Sequence, residues 1–256
     1  SGPLTAIWYM VFVLPLFLFT PDRYVLSKHS GAVRKGLRKL GSTLRRLPSE
    51  KSYFSYLLSS MFYRDALNAL YAFGGIYAAG VLGWSIIQIG VFGILAALTG
   101  VFGGWLGGKA DDHFGPKLVV YICICVLTLS CLVIVSTTKT DIFFIAVGSA
   151  QAPSQLPSIT FYIAGCLIGA AGAAIQAASR TLLVDQVVPE RVTEAFGLYA
   201  LSGKATTFVG PILIGVATGL FESQRVGILP VIVLFLAGAV LLRFVSNEAT
   251  PAPDRA

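Results

Sequence analysis

The sequence predicts an all-α integral membrane protein of about seven transmembrane helices, and three observations carry that expectation. Of 256 residues, 55% are hydrophobic and only 12% charged, with a mean hydropathy of +0.78. A water-soluble fold built from this composition would leave too little polar surface to cover its core. Apolar stretches of spanning length, about 20 residues, recur at Leu4 to Thr20, Tyr53 to Gly83, Ser85 to Gly108, Leu118 to Ser136, Ser158 to Ala178, Ala195 to Leu220 and Val226 to Val245. They are continuously apolar rather than alternating in and out, which is the pattern of helices and not of a lipid-facing barrel.

The first stretch has no initiator Met and no cationic region before it, so it reads as a span rather than a signal peptide, and the amino terminus reads as cut. Ile142 to Gly148 is apolar but too short to cross, and Pro153 and Pro157 follow it, which predicts an interfacial or loop segment. All four cysteines, Cys123, Cys125, Cys131 and Cys166, fall inside predicted spans as small packing residues rather than as a disulfide framework or a metal site.

Charge placement orients the helices. Arg23, Lys28, Arg34, Lys35, Arg38, Lys39, Arg45, Arg46 and Lys51 crowd the linker between the first two spans, and every second loop thereafter holds the other basic residues. Lys139 and Arg225 alone lie on the opposite side. Cytoplasmic loops retain Lys and Arg, so the amino terminus is expected outside and the carboxy terminus inside. The layout is then a first span over 1–20, a basic cytoplasmic linker over 21–51, a six-helix bundle over 52–246 and a tail over 247–256. The linker reads as a topology determinant and a contact for anionic lipid, not as a nucleic-acid site. Residues 27–48 either form an amphipathic surface helix, with Val33, Leu37, Leu40 and Leu44 on one side, or a flexible connection.

Charges in lipid are costly, which singles out Arg64 and Asp65 in the second span. Neighbours on a helix point about 100° apart, so the two side chains diverge. Ser60, Arg64, Asn68, Tyr71 and Gly75 follow at spacings of four, four, three and four, forming one polar stripe with Asp65 at its edge. Such a stripe suits a polar or zwitterionic solute, with Arg64 meeting an acidic group and Asp65 taking up a proton or an ammonium. A buried interhelical salt bridge is the other reading, and both stay open. Lys204 in the sixth span is expected to pair across the bundle, with Asp65 as one partner, or to gate the inner mouth. Gln176 and Arg180 share a face near the inner end of the fifth span, ahead of Asp185, Glu190, Arg191 and Glu194.

Small residues supply close helix packing where lipid offers no hydrophobic incentive. Gly93, Gly100, Gly103, Gly104, Gly107 and Gly108 fit that role in the third span, and Gly203, Thr207 and Gly210 in the sixth, where Pro211 is expected to introduce a kink.

The loop from Gly108 to Lys117 reads Gly-Lys-Ala-Asp-Asp-His-Phe-Gly-Pro-Lys. It resembles the Gly-x-x-x-Asp-Arg-x-Gly-x-Arg/Lys signature of the major facilitator superfamily, departing at His113, where Arg or Lys is usual. Carried over on Gly108, Asp112, Gly115 and Lys117, the resemblance implies a conformational-gate loop in which Asp112 and Lys117 meet a neighbouring helix end. Tyr63 to Gly80, Gly172 to Arg180 and Phe196 to Pro211 are similar to the branch of bacterial permeases and fungal vacuolar, autophagy-related amino-acid effluxers. On that resemblance the spans correspond to the sixth through twelfth of a twelve-helix secondary transporter, a major-facilitator-type six-helix half-bundle plus one preceding span. The N-terminal half is then an expected partner, beside the lipid bilayer and a small-molecule solute, and the expected location is a bacterial plasma membrane. The expected function is transport by alternating access of a small organic solute, by resemblance an amino acid, with Asp65 as the candidate for proton coupling. A non-transporting membrane scaffold or sensor is the alternative. Neither a cofactor, a metal nor a catalytic residue is expected. Both His fall in predicted loops, no nucleophile has an evident base, and Gly203-Lys204-Ala205 lacks the spacing and hydroxyl of a phosphate-cradling loop.

Overall fold

A computed structural model describes residues 2–20, 38, 41–148 and 154–246. The chain forms two compact units, residues 1–45 and 46–256. Most of the linker stretch over 27–48, including Val33, Leu37 and Leu40, and the tail over 247–256 lie outside the described residues.

In the first unit, α1 (Gly2–Phe19) is helical through Pro15 and buries none of its residues. Its length and composition suffice to cross a membrane.

The second unit is a helical bundle. Its elements are α2 (Lys51–Tyr77), a π-helical turn (Ala78–Leu82), α3 (Ile86–Phe114), α4 (Pro116–Ser136), a small hairpin of β1 (Asp141–Ile142) and β2 (Ile145–Ala146), α5 (Leu156–Asp185), α6 (Val192–Ala205), α7 (Val209–Phe221), α8 (Gln224–Gly227) and α9 (Leu229–Leu242). Among the described residues, six segments are long and apolar enough to span: α1, α3, α4, α5, Pro189–Phe221 and Gln224–Leu242. The remaining expected span is α2 with its π turn. It has the length, but its polar and charged side chains keep it out of that set.

Local chemistry sets the element ends. The π turn closes on Gly83 at φ +68°, a conformation that costs a Cβ-bearing residue. Ser85 and Gln88 then cap α3 reciprocally, Gln88 N–H donating to the Ser85 hydroxyl and Ser85 N–H to the Gln88 side chain at 2.9 Å. Gly115, at φ +82°, turns α3 into α4, and Pro116 starts α4 where a missing N–H is harmless.

The tightest contact in the bundle is the seam between α3 and α5. A Cβ on Gly107 would lie 2.6 Å from the Ala174 methyl, one on Gly103 would run into the Ala170 main chain, and one on Gly169 into the Ala96 main chain. Gly100 and Gly104 also face α5. Gly93 and Gly108, expected in the same seam, face open space. Gly108, directly after Gly107, falls off that face, whereas Gly93 keeps the three-and-four spacing seven residues before Gly100 but has no neighbouring atom within 4 Å of where its Cβ would lie.

Two further expectations meet the geometry differently. Ile142 to Gly148, expected as an interfacial or loop segment, is a short connection whose first part closes the hairpin, with Asp141 opposite Ala146 and Ile142 opposite Ile145. The sixth span is not one helix kinked at Pro211. It is interrupted at Thr206–Phe208, and Pro211 sits harmlessly in the first turn of α7. Thr206 and Thr207 direct their hydroxyls at the carbonyls of Ser202 (3.2 Å) and Gly203 (3.0 Å), groups at the freed end of α6.

Candidate functional site

The stripe on α2 divides into a buried part and an open part. Ser60 is buried and donates to its own helix at Leu57 O (2.7 Å), whereas Asn68 is exposed and Tyr71 is 48% exposed. Between them, Arg64 is half-buried and reaches across to α6. Its guanidinium lies 4.0 Å from the centre of the Tyr199 ring, Nη1 donates to the Tyr199 carbonyl at 2.8 Å, and the group occupies the space that Gly203 leaves by lacking a side chain. Five donors serve an arginine, so this cradle leaves most of them open to another acceptor.

Asp65 points elsewhere, as the divergence of adjacent residues requires. It is only 2% exposed, and Thr206 and Arg64 are the polar groups facing it. Its Oδ1 has no hydrogen-bond partner. The carboxylate is therefore inside the bundle at the α6–α7 interruption rather than on the rim of the stripe. Gly210, just past the interruption, packs on this part of α2, where a Cβ would fall 2.9 Å from the Asp65 carbonyl and 2.8 Å from the Ala69 methyl.

The anticipated pairing of Lys204 with Asp65 is not made. Lys204 is exposed in the last turn of α6, and its ammonium makes no hydrogen bond or ion pair among the described residues, although its carbonyl accepts the Thr207 hydroxyl at 3.0 Å. The interruption explains its tolerance there: a cation at a helix C-terminus meets the negative end of the helix dipole. On α5, Gln176 is exposed and its amide donates to Gly172 O at 3.1 Å, and the Tyr71 hydroxyl rests directly on Gly172. Arg180 is exposed one turn further on. The structure thus sets Arg64 of α2 against Tyr199 and Gly203 of α6, and Tyr71 of α2 against Gly172 of α5, one turn before Gln176, with Asn68 between them on the α2 stripe.

Several contributors escape a sequence reading. Tyr56 stacks on Tyr199 at 6.2 Å and donates its hydroxyl to Ser179 O, while Tyr63 and Ser179 share a hydrogen bond of 2.8 Å. These three hydroxyls back the Arg64 cradle from inside the bundle. Their spacing on α2, Tyr56 to Tyr63 at seven residues, marks a second face that hydropathy alone does not separate from core.

At the end of the bundle expected to be cytoplasmic, the loop from Gly108 to Lys117 touches a neighbouring helix end through Lys117. Lys117 donates to Val245 O at 2.6 Å, just beyond α9. Asp112 and His113 are exposed, and the Asp112 carboxylate makes no hydrogen bond or ion pair among the described residues. Its neighbour Asp111 is the half-buried one, with Oδ1 unpartnered and Asp185 nearby. The same end is tied by the Glu50–Arg191 ion pair at 2.7 Å and by Ser52, which receives Ser246 N–H at 2.7 Å and donates to Gln186 Oε1 at 2.5 Å. Among the described residues no group of His, Cys, Asp and Glu could hold a metal ion.

A bundle of spanning helices with buried charge at a broken helix and a cation-rich polar face is that of an all-α, multi-pass membrane protein. The family model described as "Vacuole effluxer Atg22 like" matches residues 3–251, and the chain belongs to that family. It is 26% identical over 250 residues to the uncharacterized MFS-type transporter YxiO of Bacillus subtilis (strain 168), covering 96% of this chain and 53% of the relative. It is 22% identical over 265 residues to autophagy-related protein 22 of Coccidioides immitis (strain RS), covering 98% and 43%. Autophagy-related protein 22-1 of Aspergillus niger is 19% identical over 253 residues, covering 96% and 41%. The chain spans about half the length of the relatives it matches, and the family's description names an effluxer rather than an enzyme.

Proposed function

We propose that this chain is the C-terminal half of a major-facilitator-type secondary transporter that moves a small carboxylate-bearing solute, an amino acid in the first instance, by alternating access. Arg64 carries the reading. It is a half-buried cation at the open face with no ion pair among the described residues, and Arg180 and Lys204 add unpaired positive charge on α5 and α6. A solute carboxylate supplies the missing anion, taking up the guanidinium's free donors in a fork geometry. Asn68, Tyr71 and Gln176 offer neutral hydrogen bonds beside it. Asp65 serves as the coupling group. Its burial favours a proton over a solute ammonium, because an ammonium cannot reach a carboxylate that is 2% exposed.

The open polar face needs an N-terminal half to close it, and rocking of two halves about a site near the midplane would expose the solute alternately to each side. The gate loop, held by Lys117 at Val245, then marks the inner end. In this reading the protein lies in a bacterial plasma membrane with its amino terminus outside and its carboxy terminus in the cytoplasm, as the basic linker favours.

Uptake of a labelled amino-acid mixture into proteoliposomes holding both halves tests the proposal. Asp65→Asn should abolish the response to an imposed pH gradient while solute binding persists, and an unchanged response would remove Asp65 from coupling. Arg64→Lys should weaken binding about tenfold, since the bidentate fork is lost and about 1.4 kcal/mol corresponds to that factor.

A further inference from the structure

A second feature lies on the opposite side of the bundle from the polar face. A cavity of about 270 Å³ is lined by Leu106, Ala110, Ile122, Cys123 and Ala171, and another of about 370 Å³ by Leu129, Val133, Phe143 and Ile163. Val126 and Leu167 line both, so the two are lengths of one groove running along α4 and α5. Its walls are almost wholly hydrocarbon, and Leu129 (61%) and Leu167 (47%) stand open on its flank. Gln176 follows Leu167 by nine residues, which at 3.6 residues per turn places it about 180° round α5. The groove therefore faces away from the polar stripe, and a partner half covering that stripe would leave the groove in lipid.

Two details distinguish the groove from an ordinary gap between helices. Ser130, only 3% exposed, lines the second cavity, and its hydroxyl has no hydrogen-bond partner. The neighbouring hydroxyls on α4 and at its end satisfy themselves on nearby carbonyls: Thr128 on Ile124 O (2.8 Å), Ser136 on Val133 O (2.9 Å) and Thr137 on Val133 O (2.8 Å). Ser130 is thus a buried donor turned to a groove with nothing in it to accept the bond, an arrangement that costs free energy unless a ligand answers it. The second detail is the hairpin turn. Phe143 and Phe144 both have positive φ, 51° and 63°, a strained conformation for bulky residues that the surrounding structure must enforce. Arg225 faces the Phe144 ring at 5.1 Å, and Phe143 is delivered to the end of the groove.

We infer that the α4–α5 groove is a binding site for one membrane phospholipid. An acyl chain lies along Val126 and Leu167, its ester carbonyl accepts the Ser130 hydroxyl, and Phe143 covers the mouth on the hairpin side. The dimensions select this occupant. A helix with its side chains is about 10–12 Å across and cannot enter clefts of this volume, while a polar solute would find the hydroxyls of Ser130 and Thr160 and otherwise carbon. A hydrocarbon chain with one acceptor near its head matches both.

The test uses the protein in vesicles of phosphatidylethanolamine and phosphatidylglycerol doped with phosphatidylglycerol carrying a photoreactive diazirine in one acyl chain, with adducts mapped by mass spectrometry. Adducts should concentrate on the segments holding Val126 and Leu167, several-fold above exposed lipid-facing side chains such as Val233 of α9. Leu167→Phe should cut that excess severalfold. Ser130→Ala, which adds no volume, should also lower it while leaving labelling at Val233 unchanged. Equal labelling at the groove and at Val233, insensitivity to both substitutions, or protein–protein adducts in place of lipid adducts would each overturn the site. The readout does not depend on solute transport, so the transport proposal and this one can fail separately.

Discussion

The α3–α5 seam and the contact of α2 with α6 and α7 use the same device for different ends. Each relies on glycines that let another element approach within the space of a missing Cβ. In the seam, Gly103, Gly107 and Gly169 meet main chain and methyl groups, which cannot move aside. At α6 and α7, Gly203 meets the guanidinium of Arg64 and Gly210 meets the main chain at Asp65. The first arrangement fixes a distance between two helices. The second fixes where a charged group rests, and the flexible end of an arginine can leave. One glycine pattern thus marks rigidity in one place and a movable charge in another, and what it faces decides which.

Substitutions should separate the two regions, the seam giving the largest effect. Gly169→Val forces side-chain atoms into the Ala96 backbone and should destabilise the fold by about 3 kcal/mol, at the upper end of ordinary overpacking. A lowered midpoint in detergent-solubilised thermal unfolding checks it. Gly203→Ala should leave that midpoint within about 1 kcal/mol of the parent, because only the tip of Arg64 must shift, yet solute affinity should change about tenfold as the cradle on Tyr199 is disturbed. If instead the midpoint falls as far as in Gly169→Val, the distinction between the two regions fails. Glu50→Gln breaks the Glu50–Arg191 pair, whose side chains are 32% and 34% exposed, and should cost only about 0.5 kcal/mol, an effect that weakens as salt is raised.

Much of the bundle is legible from residue pattern because membrane spans obey strict rules of length and polarity. The divergence of Arg64 and Asp65 follows from helical geometry alone, and Gly103, Gly107, Gly203 and Gly210 are found at close contacts. What the pattern conceals is which neighbour each face meets. The burial of Asp65 depends on α7 returning beside it, and the rotation of α2 about its axis is set by packing rather than by its own period. The interruption at Thr206–Phe208 is obscured in the sequence because Thr-Thr-Phe has no strong breaker, while the nearby Pro211 draws the expected kink to a point three residues beyond it. The exposure of Asp112 depends on how the end of α3 meets α5, a tertiary matter. The hairpin at 141–146 was hidden by Phe-Phe at its turn, where Asn-Gly would have announced it.

The interruption between α6 and α7 behaves as a notch at the middle of a beam whose two ends are held. At one end Arg191, directly before α6, is fixed to Glu50. At the other, soon after α7, Arg225 donates to Val135 O at 3.0 Å. A beam restrained in this way yields sideways at its notch rather than by tilting as a whole. On this argument its greatest travel would fall at Thr206–Phe208, beside Asp65 and within a turn of the Arg64 cradle. Under the transport proposal, a change in charge on Asp65 would act on the segment with the least resistance to it.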